Sequence, residues 1–247
     1  TLSFGIAWAT RWFIPRMGDL TAKFPDINLN LVMADQKGLY GDNNGSDSIK
    51  LKADLTLKLK APPAREDLVI KPFYQENMIL ACSPAYFESH FAGKPCNRWL
   101  NNLLNSQLLQ VCKDKKSQEW CSWLGQMIKK YSDIENKSLL EKVCTSCSID
   151  NTKLYDNFHK LSFANLDQAI IAAIGGMGVV LTDSSLIINE LESGALVPVF
   201  KGGQFPGRKL HLVYDAFSPH KQRIEEIIAW AIEKVEANYE DLQKAYV

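Results

Sequence analysis

Hydrophobic and polar positions alternate in two different periods along the chain, and the two periods take turns. Leu2, Phe4 and Ile6 alternate with small or polar neighbours, the period of a short strand. From about Ala9 to Lys23, Phe13, Met17, Leu20 and Phe24 recur three or four apart and predict an amphipathic helix. Pro15 sits inside that span and either marks its true first turn or kinks it. After the turn at Pro25-Asp26, Ile27, Leu29, Leu31 and Met33 alternate again, and so do Leu55, Leu57 and Leu59. Between these last two strands, residues 36–52 are polar and glycine-rich, a loop.

The second half repeats the alternation. Phe73 to Cys82 reads as a long extended element, followed by a helix that Ser83 caps and Pro84 starts. A short strand is expected at Leu108 to Cys112. Trp120, Trp123, Leu124, Met127, Ile128 and Tyr131 then share one helical face. Residues 132–160 show the least regular pattern. Asn165 to Ile174 is a compact helix that Gly175-Gly176-Met177-Gly178 turns into the strand Val179–Leu181. A helix from Ser184 to Glu192, stopped by Gly194, precedes short strands at Leu196–Phe200 and Leu210–Tyr214. The last helix has Ser218 as cap, Pro219 at its first position, and a stripe of Ile224, Ile227, Ile228, Ala231, Ile232 and Val235. Strands alternating with helices at this spacing define an α/β class, and the tight early strand-helix-strand unit suits a parallel crossover.

Composition narrows the function. The 247 residues carry 28 Lys plus Arg against 28 Asp plus Glu, so no basic excess marks a surface that grips phosphates. No basic leader precedes the first apolar residues, and no run approaches a membrane span. Six cysteines occur; Cys144 and Cys147 form a CxxC open to a redox or disulfide role, but reduced thiols are the favoured reading. A structural zinc site would want two more close ligands, and no metal or cofactor is expected.

The four histidines stand in no metal pattern, and neither a nucleophile elbow nor a phosphate loop is present, so no enzymatic activity is expected. The 175–178 glycines follow a helix and precede a strand, the reverse of a dinucleotide fingerprint. A structural turn is the better reading.

One resemblance spans nearly the whole chain. It rests on Ala9-Thr10-Arg11-Trp12-Phe13-Ile14-Pro15-Arg16-Met17, on Phe24-Pro25-Asp26-Ile27-Asn28-Leu29 and on Lys52-Ala53-Asp54-Leu55. It continues through Phe73-Tyr74-Gln75-Glu76-Asn77, Cys82-Ser83-Pro84, Trp120-Cys121-Ser122-Trp123-Leu124, Phe163-Ala164-Asn165, Gly176-Met177-Gly178-Val179-Val180-Leu181 and Leu191 to Phe200. In this order these segments resemble the effector-binding domain of LysR-type transcriptional regulators, in the branch of the glycine-cleavage activator and the β-lactamase regulators. Residues 36–51 and 132–160 are longer than that pattern.

The resemblance implies two Rossmann-like lobes joined by two crossover strands, as in type 2 periplasmic binding proteins. Lobe I would comprise residues 1–80 plus 199–247 and lobe II residues 81–198. It further implies a cytoplasmic homodimer or tetramer that senses a small anionic or amino-acid-like effector between its lobes. Operator DNA would be held only through an N-terminal winged helix-turn-helix that these residues do not include. A free-standing solute-binding protein is the alternative.

Candidate effector contacts in lobe I are Trp8, Ala9, Thr10 and Arg11, where a strand end meets a helix start and backbone N–H groups suit an anion. Thr10 serves equally as a cap, Trp8 as core, and Arg11 as a solvated or interlobe residue. Asp54 heads a strand and would either order the cleft or accept a bond from the ligand. Ser162, Phe163 and Asn165 precede a helix from lobe II, Asn165 or Ser162 being first a cap. Asp183 would hold a crossover and Tyr214 would close the cleft with its hydroxyl. Trp120 and Trp123 read as core.

Overall fold

A computed structural model describes residues 1–34, 53–94, 102–103, 105–111, 119–120, 122–124, 126, 159–200 and 204–246, with side chains followed to residue 237. The chain divides into two α/β units. Unit 1 comprises Thr1–Asn77 with Pro206–Tyr246, and unit 2 comprises Met78–Phe205. The passages between units thus fall at Asn77/Met78 and Phe205/Pro206, the first lying three residues before the expected boundary after Leu80 and the second seven residues beyond the one before Val199.

In unit 1, β1 (Leu2–Phe4) pairs in parallel with β2 (Leu31–Met33) and with β3 (Leu55–Lys58), and β3 pairs antiparallel with β9 (Phe205–Asp215). The expected parallel crossover is therefore present. β9 lies beside β4 (Leu68–Cys82), which begins five residues earlier than its alternation suggests. β2 is shorter than predicted because residues 27–30 make no regular pairing.

The first helical run starts at residue 6, not 9, and Pro15 does not break it. The run widens to a π-turn over Trp8–Phe13, tightens to a 3-10 turn over Ile14–Arg16, and continues as α1 (Met17–Lys23). The physical cause is local. Proline lacks an N–H and its ring collides with the carbonyl four residues back. Here the Ile14 N–H reaches back five residues to the Ala9 carbonyl, which opens the turn ahead of the ring.

Unit 1 closes with α5 (Lys221–Tyr246), which packs its apolar stripe on this layer. Ile224, Ile227, Ile228, Ala231 and Val235 are buried as expected, and Trp230, absent from the predicted stripe, is buried more deeply than any of them. The helix begins two residues later than expected. The Ser218 hydroxyl accepts the His220 N–H at 3.2 Å, so Pro219 lies in the preceding turn.

In unit 2 the order is β4, β7 (Val179–Asp183), β5 (Gln107–Val111), β6 (His159–Phe163), with β8 (Val197–Pro198) also against β4. β5 pairs in parallel with β6 and with β7, and β7 meets β4 antiparallel. Around them lie α2 (Pro84–His90), α3 (Leu166–Ile174) and α4 (Ile188–Glu192). The helix expected over Ser184–Glu192 splits into a 3-10 turn at Ser184–Leu186 followed by α4.

Two predicted starts are realised in detail. The Ser83 hydroxyl accepts the Tyr86 N–H, and the Asn165 carboxamide accepts the Gln168 N–H at 3.0 Å. Trp120 and Trp123 are core, 6.0 Å apart edge to face, and the Trp120 indole donates to the Leu109 carbonyl. Gly178 carries the turn into β7 because a Cβ there would lie 2.3 Å from the Gln107 carbonyl oxygen. Met127, Ile128, Tyr131 and the CxxC fall outside the described residues.

Candidate functional site

The candidate residues of unit 1 gather at the first turn of the helical run, on a bed of aromatic rings. Trp8 is buried and meets Phe73 and Tyr74 edge-on, at centroid distances of 5.9 and 5.5 Å. It also tilts against Trp12 at 5.8 Å, and Trp12 in turn meets Trp230. Such rings bury large apolar area with few rotatable bonds and so hold the turn rigidly. Among the described residues, the Trp8 indole N–H has no hydrogen-bond partner. A buried unsatisfied donor costs on the order of 1–3 kcal/mol, and such a group calls for an acceptor.

The structure moves the helix start by one turn and so reassigns two of these residues. The Ala9 N–H is already bonded to the Gly5 carbonyl at 2.9 Å, and Ala9 is fully buried. Thr10 is no cap, since its hydroxyl donates to the Ile6 carbonyl at 2.9 Å, as a threonine inside a helix does. The N–H groups without an intrahelical acceptor belong to the turn that begins at residue 6. Arg11 lies half-buried further along the same run.

Two other unit 1 candidates have local structural roles. The Asp54 backbone N–H donates to the Thr1 carbonyl at 2.9 Å, tying the start of β3 to the start of β1. The Tyr214 ring is wholly buried and its hydroxyl donates to Glu225 of α5. Tyr214 is thus a strut between β9 and α5. Burial, and then the bond to Glu225, push its phenol well above the usual tyrosine range.

In unit 2 the candidates lie at the carboxyl ends of parallel strands, where open α/β sheets place ligands. Ser162 is exposed on β6 and sits opposite Gln110 of β5 in the ladder. The buried Gln110 donates its Nε2 to the Ser162 hydroxyl at 2.6 Å, which fixes that hydroxyl's direction. Sequence reasoning passed over Gln110, although a polar residue inside the apolar run Leu108-Leu109-Gln110-Val111 was the available signal. Phe163 ends β6, half-buried. Asn165 caps α3, and the Gln168 side chain returns the bond by accepting the Ala164 N–H at 3.2 Å. Asp183 is buried and accepts both the N–H and the hydroxyl of Ser185, so it caps the turn after β7.

Among the described residues, no group of three or more His, Cys, Asp or Glu is placed to hold a metal ion. No described helix is long and apolar enough to cross a membrane. The arrangement can present hydrogen-bond donors and hydroxyls to a small polar molecule.

No family model matches the chain. It is 25% identical over 232 residues to the HTH-type transcriptional regulator DsdC of Escherichia coli (strain K12), covering 91% of this chain and 61% of that protein. The chain thus spans about three-fifths of the length of the curated relative it matches. Among solved structures, the effector domain of the transcriptional regulator AmpR of Pseudomonas aeruginosa superposes with a TM-score of 0.65 at 15% identity, over 98% of this chain and 97% of that one. The regulatory domain of CrgA, a LysR-type transcriptional regulator from Neisseria meningitidis, gives a TM-score of 0.62 at 15% identity, over 94% and 96%. The chain therefore has the two-unit α/β fold of LysR-type effector domains, of the type 2 periplasmic-binding-protein kind.

Proposed function

We propose that this chain is the effector-sensing domain of a LysR-type, DNA-binding transcriptional regulator. The alignment with an HTH-type regulator along 91% of the chain carries the proposal. The likeness of the whole chain to solved effector domains supports it. In this reading the domain binds and does not transform its ligand, works in the cytoplasm as a homodimer or tetramer, and meets operator DNA only through a winged helix-turn-helix outside these residues.

The effector is a small anionic or amino-acid-like molecule. The candidate contacts of unit 1 are the opening turn of the helical run and the Trp8 indole N–H. Those of unit 2 are Ser162, held by Gln110, and the start of α3 at Asn165. A ligand acts only through its different affinity for two states of the regulator, so it must contact groups whose positions differ between them.

A thermal-shift screen of small carboxylates and amino acids on the purified chain tests this reading. A true effector raises Tm in a concentration-dependent way. Trp8→Phe and Ser162→Ala should each weaken its binding about tenfold, the usual scale for one lost hydrogen bond in a dry site. Unchanged affinity in both variants overturns the placement of the site. Failure of the full-length protein to bind DNA upstream of any gene overturns the regulatory reading itself.

A further inference from the structure

Glu76 is 2% exposed, among the most buried charged side chains described. Removing a carboxylate from water is expensive unless its oxygens are fully bonded. Among the described residues, Arg208 supplies those bonds. Its Nε and backbone N–H both donate to Oε2, at 2.8 and 2.9 Å, and its Nη2 donates to Oε1 at 2.8 Å. Next to this pair, the Gln75 carboxamide donates to the Gly207 carbonyl at 2.7 Å.

The place of the pair is the informative part. The chain leaves unit 1 after Asn77 and returns to it at Pro206. Glu76 is one residue before the exit and Arg208 two residues after the return. Pro206 has no N–H to give to a ladder, and Gly207 is the residue least restrained by its own backbone. At this place two side chains of β4 take up the C=O of Gly207 and the N–H of Arg208, successive residues of β9. Buried ion pairs contribute little net stability compared with apolar residues of similar volume; their best-attested use is to specify one register over others.

We propose that Glu76 and Arg208 form a register lock on the two strands that join the units, a built-in restraint on how β4 and β9 open where they leave unit 1. The proposal does not depend on the regulatory reading, since it concerns the free chain without effector or DNA.

Amide hydrogen exchange on the intact 247-residue chain tests it. Glu76→Gln keeps the shape and removes the charge. It should speed exchange in residues 74–79 and 205–209 about tenfold or more, while α3 and α5 stay within about twofold of the parent. Arg208→Lys, which keeps the charge and loses the fork, should show the same local pattern. Exchange unchanged at the two segments, or raised equally across α3 and α5, overturns the proposal.

Should Glu76→Gln fail to fold, the double variant Glu76→Leu/Arg208→Leu serves instead. It is expected to melt at or above the parent temperature and still to exchange about tenfold faster at the two segments. Parent-like protection there would show that packing alone sets the register, and would overturn the lock.

Discussion

Trp230 donates its indole N–H to the Asp19 carboxylate at 2.7 Å, joining two helices 211 residues apart in sequence. Lys234 reaches the same carboxylate oxygen at 3.0 Å, and Arg223 pairs with Asp26 further along. The C-terminal helix of unit 1 is therefore pinned to α1 by directed bonds as well as by its apolar stripe. The Trp230 bond, followed by that from Lys234, holds the Asp19 carboxyl below the usual carboxylate range.

Acid stability should report that contact. A depressed folded-state pKa contributes stability that is present above the unfolded carboxyl value of about 4 and is lost as pH falls through the lower folded value. The Asp19→Asn variant should lower Tm at pH 7 and melt with a shallower dependence on pH below about 4. Equal slopes in parent and variant, measured by calorimetry, would show that the bond does not survive in solution.

The alkaline limb belongs to Tyr214. Its raised phenol pKa gives the opposite sign. The stability it contributes is complete below the unfolded tyrosine value of about 10 and declines as pH rises toward the folded value. Tyr214→Phe should therefore leave the difference-absorbance change of the native protein near pH 10–11 unaltered. Tyr214→Phe should cost about 1–2 kcal/mol in urea denaturation at pH 7 and flatten the alkaline decline.

Asn165 gives a test of the local argument in unit 2. Replacing this cap by Ala removes the acceptor for the Gln168 N–H and should destabilise α3 by about 1 kcal/mol, whereas Asp should be tolerated. Exchange protection of the first turn of α3 distinguishes the two variants.

Gly178→Ala should be far worse. The new methyl group would lie 2.3 Å from the Gln107 carbonyl oxygen, which is backbone and cannot rotate away. A loss of about 3 kcal/mol or more is expected in equilibrium unfolding, from displacement of β5 against the turn. Gly18→Ala, with open space at its Cβ, is the control and should be neutral or mildly stabilising.

Cys82 should be inert in the native state. It is fully buried, and desolvation pushes its thiol up to about 12. The thiolate that alkylating agents require is then nearly absent at pH 8. Mass-spectrometric mapping after a brief maleimide pulse should find Cys82 unmodified until denaturant is added.

What the sequence by itself determined is everything that depends on near neighbours. Alternation at Leu55 to Leu59, the three-four spacing from Ile224 to Val235 and the Ser83 and Asn165 caps are local. Each can be read because the interaction that causes it closes within about four residues. The tertiary structure decided what depends on partners far along the chain. The start of the first helical run moved from Ala9 to residue 6 because the first strand ends at Phe4 and Gly5 supplies the first acceptor; Thr10 lost its cap role with that shift. Tyr214 turned its hydroxyl to Glu225, Gln110 was aimed at Ser162 across 52 residues, and Glu76 met Arg208 across 132. A hydrogen bond's partner is chosen by which groups packing brings within about 3 Å, and no periodicity along the chain encodes that distance.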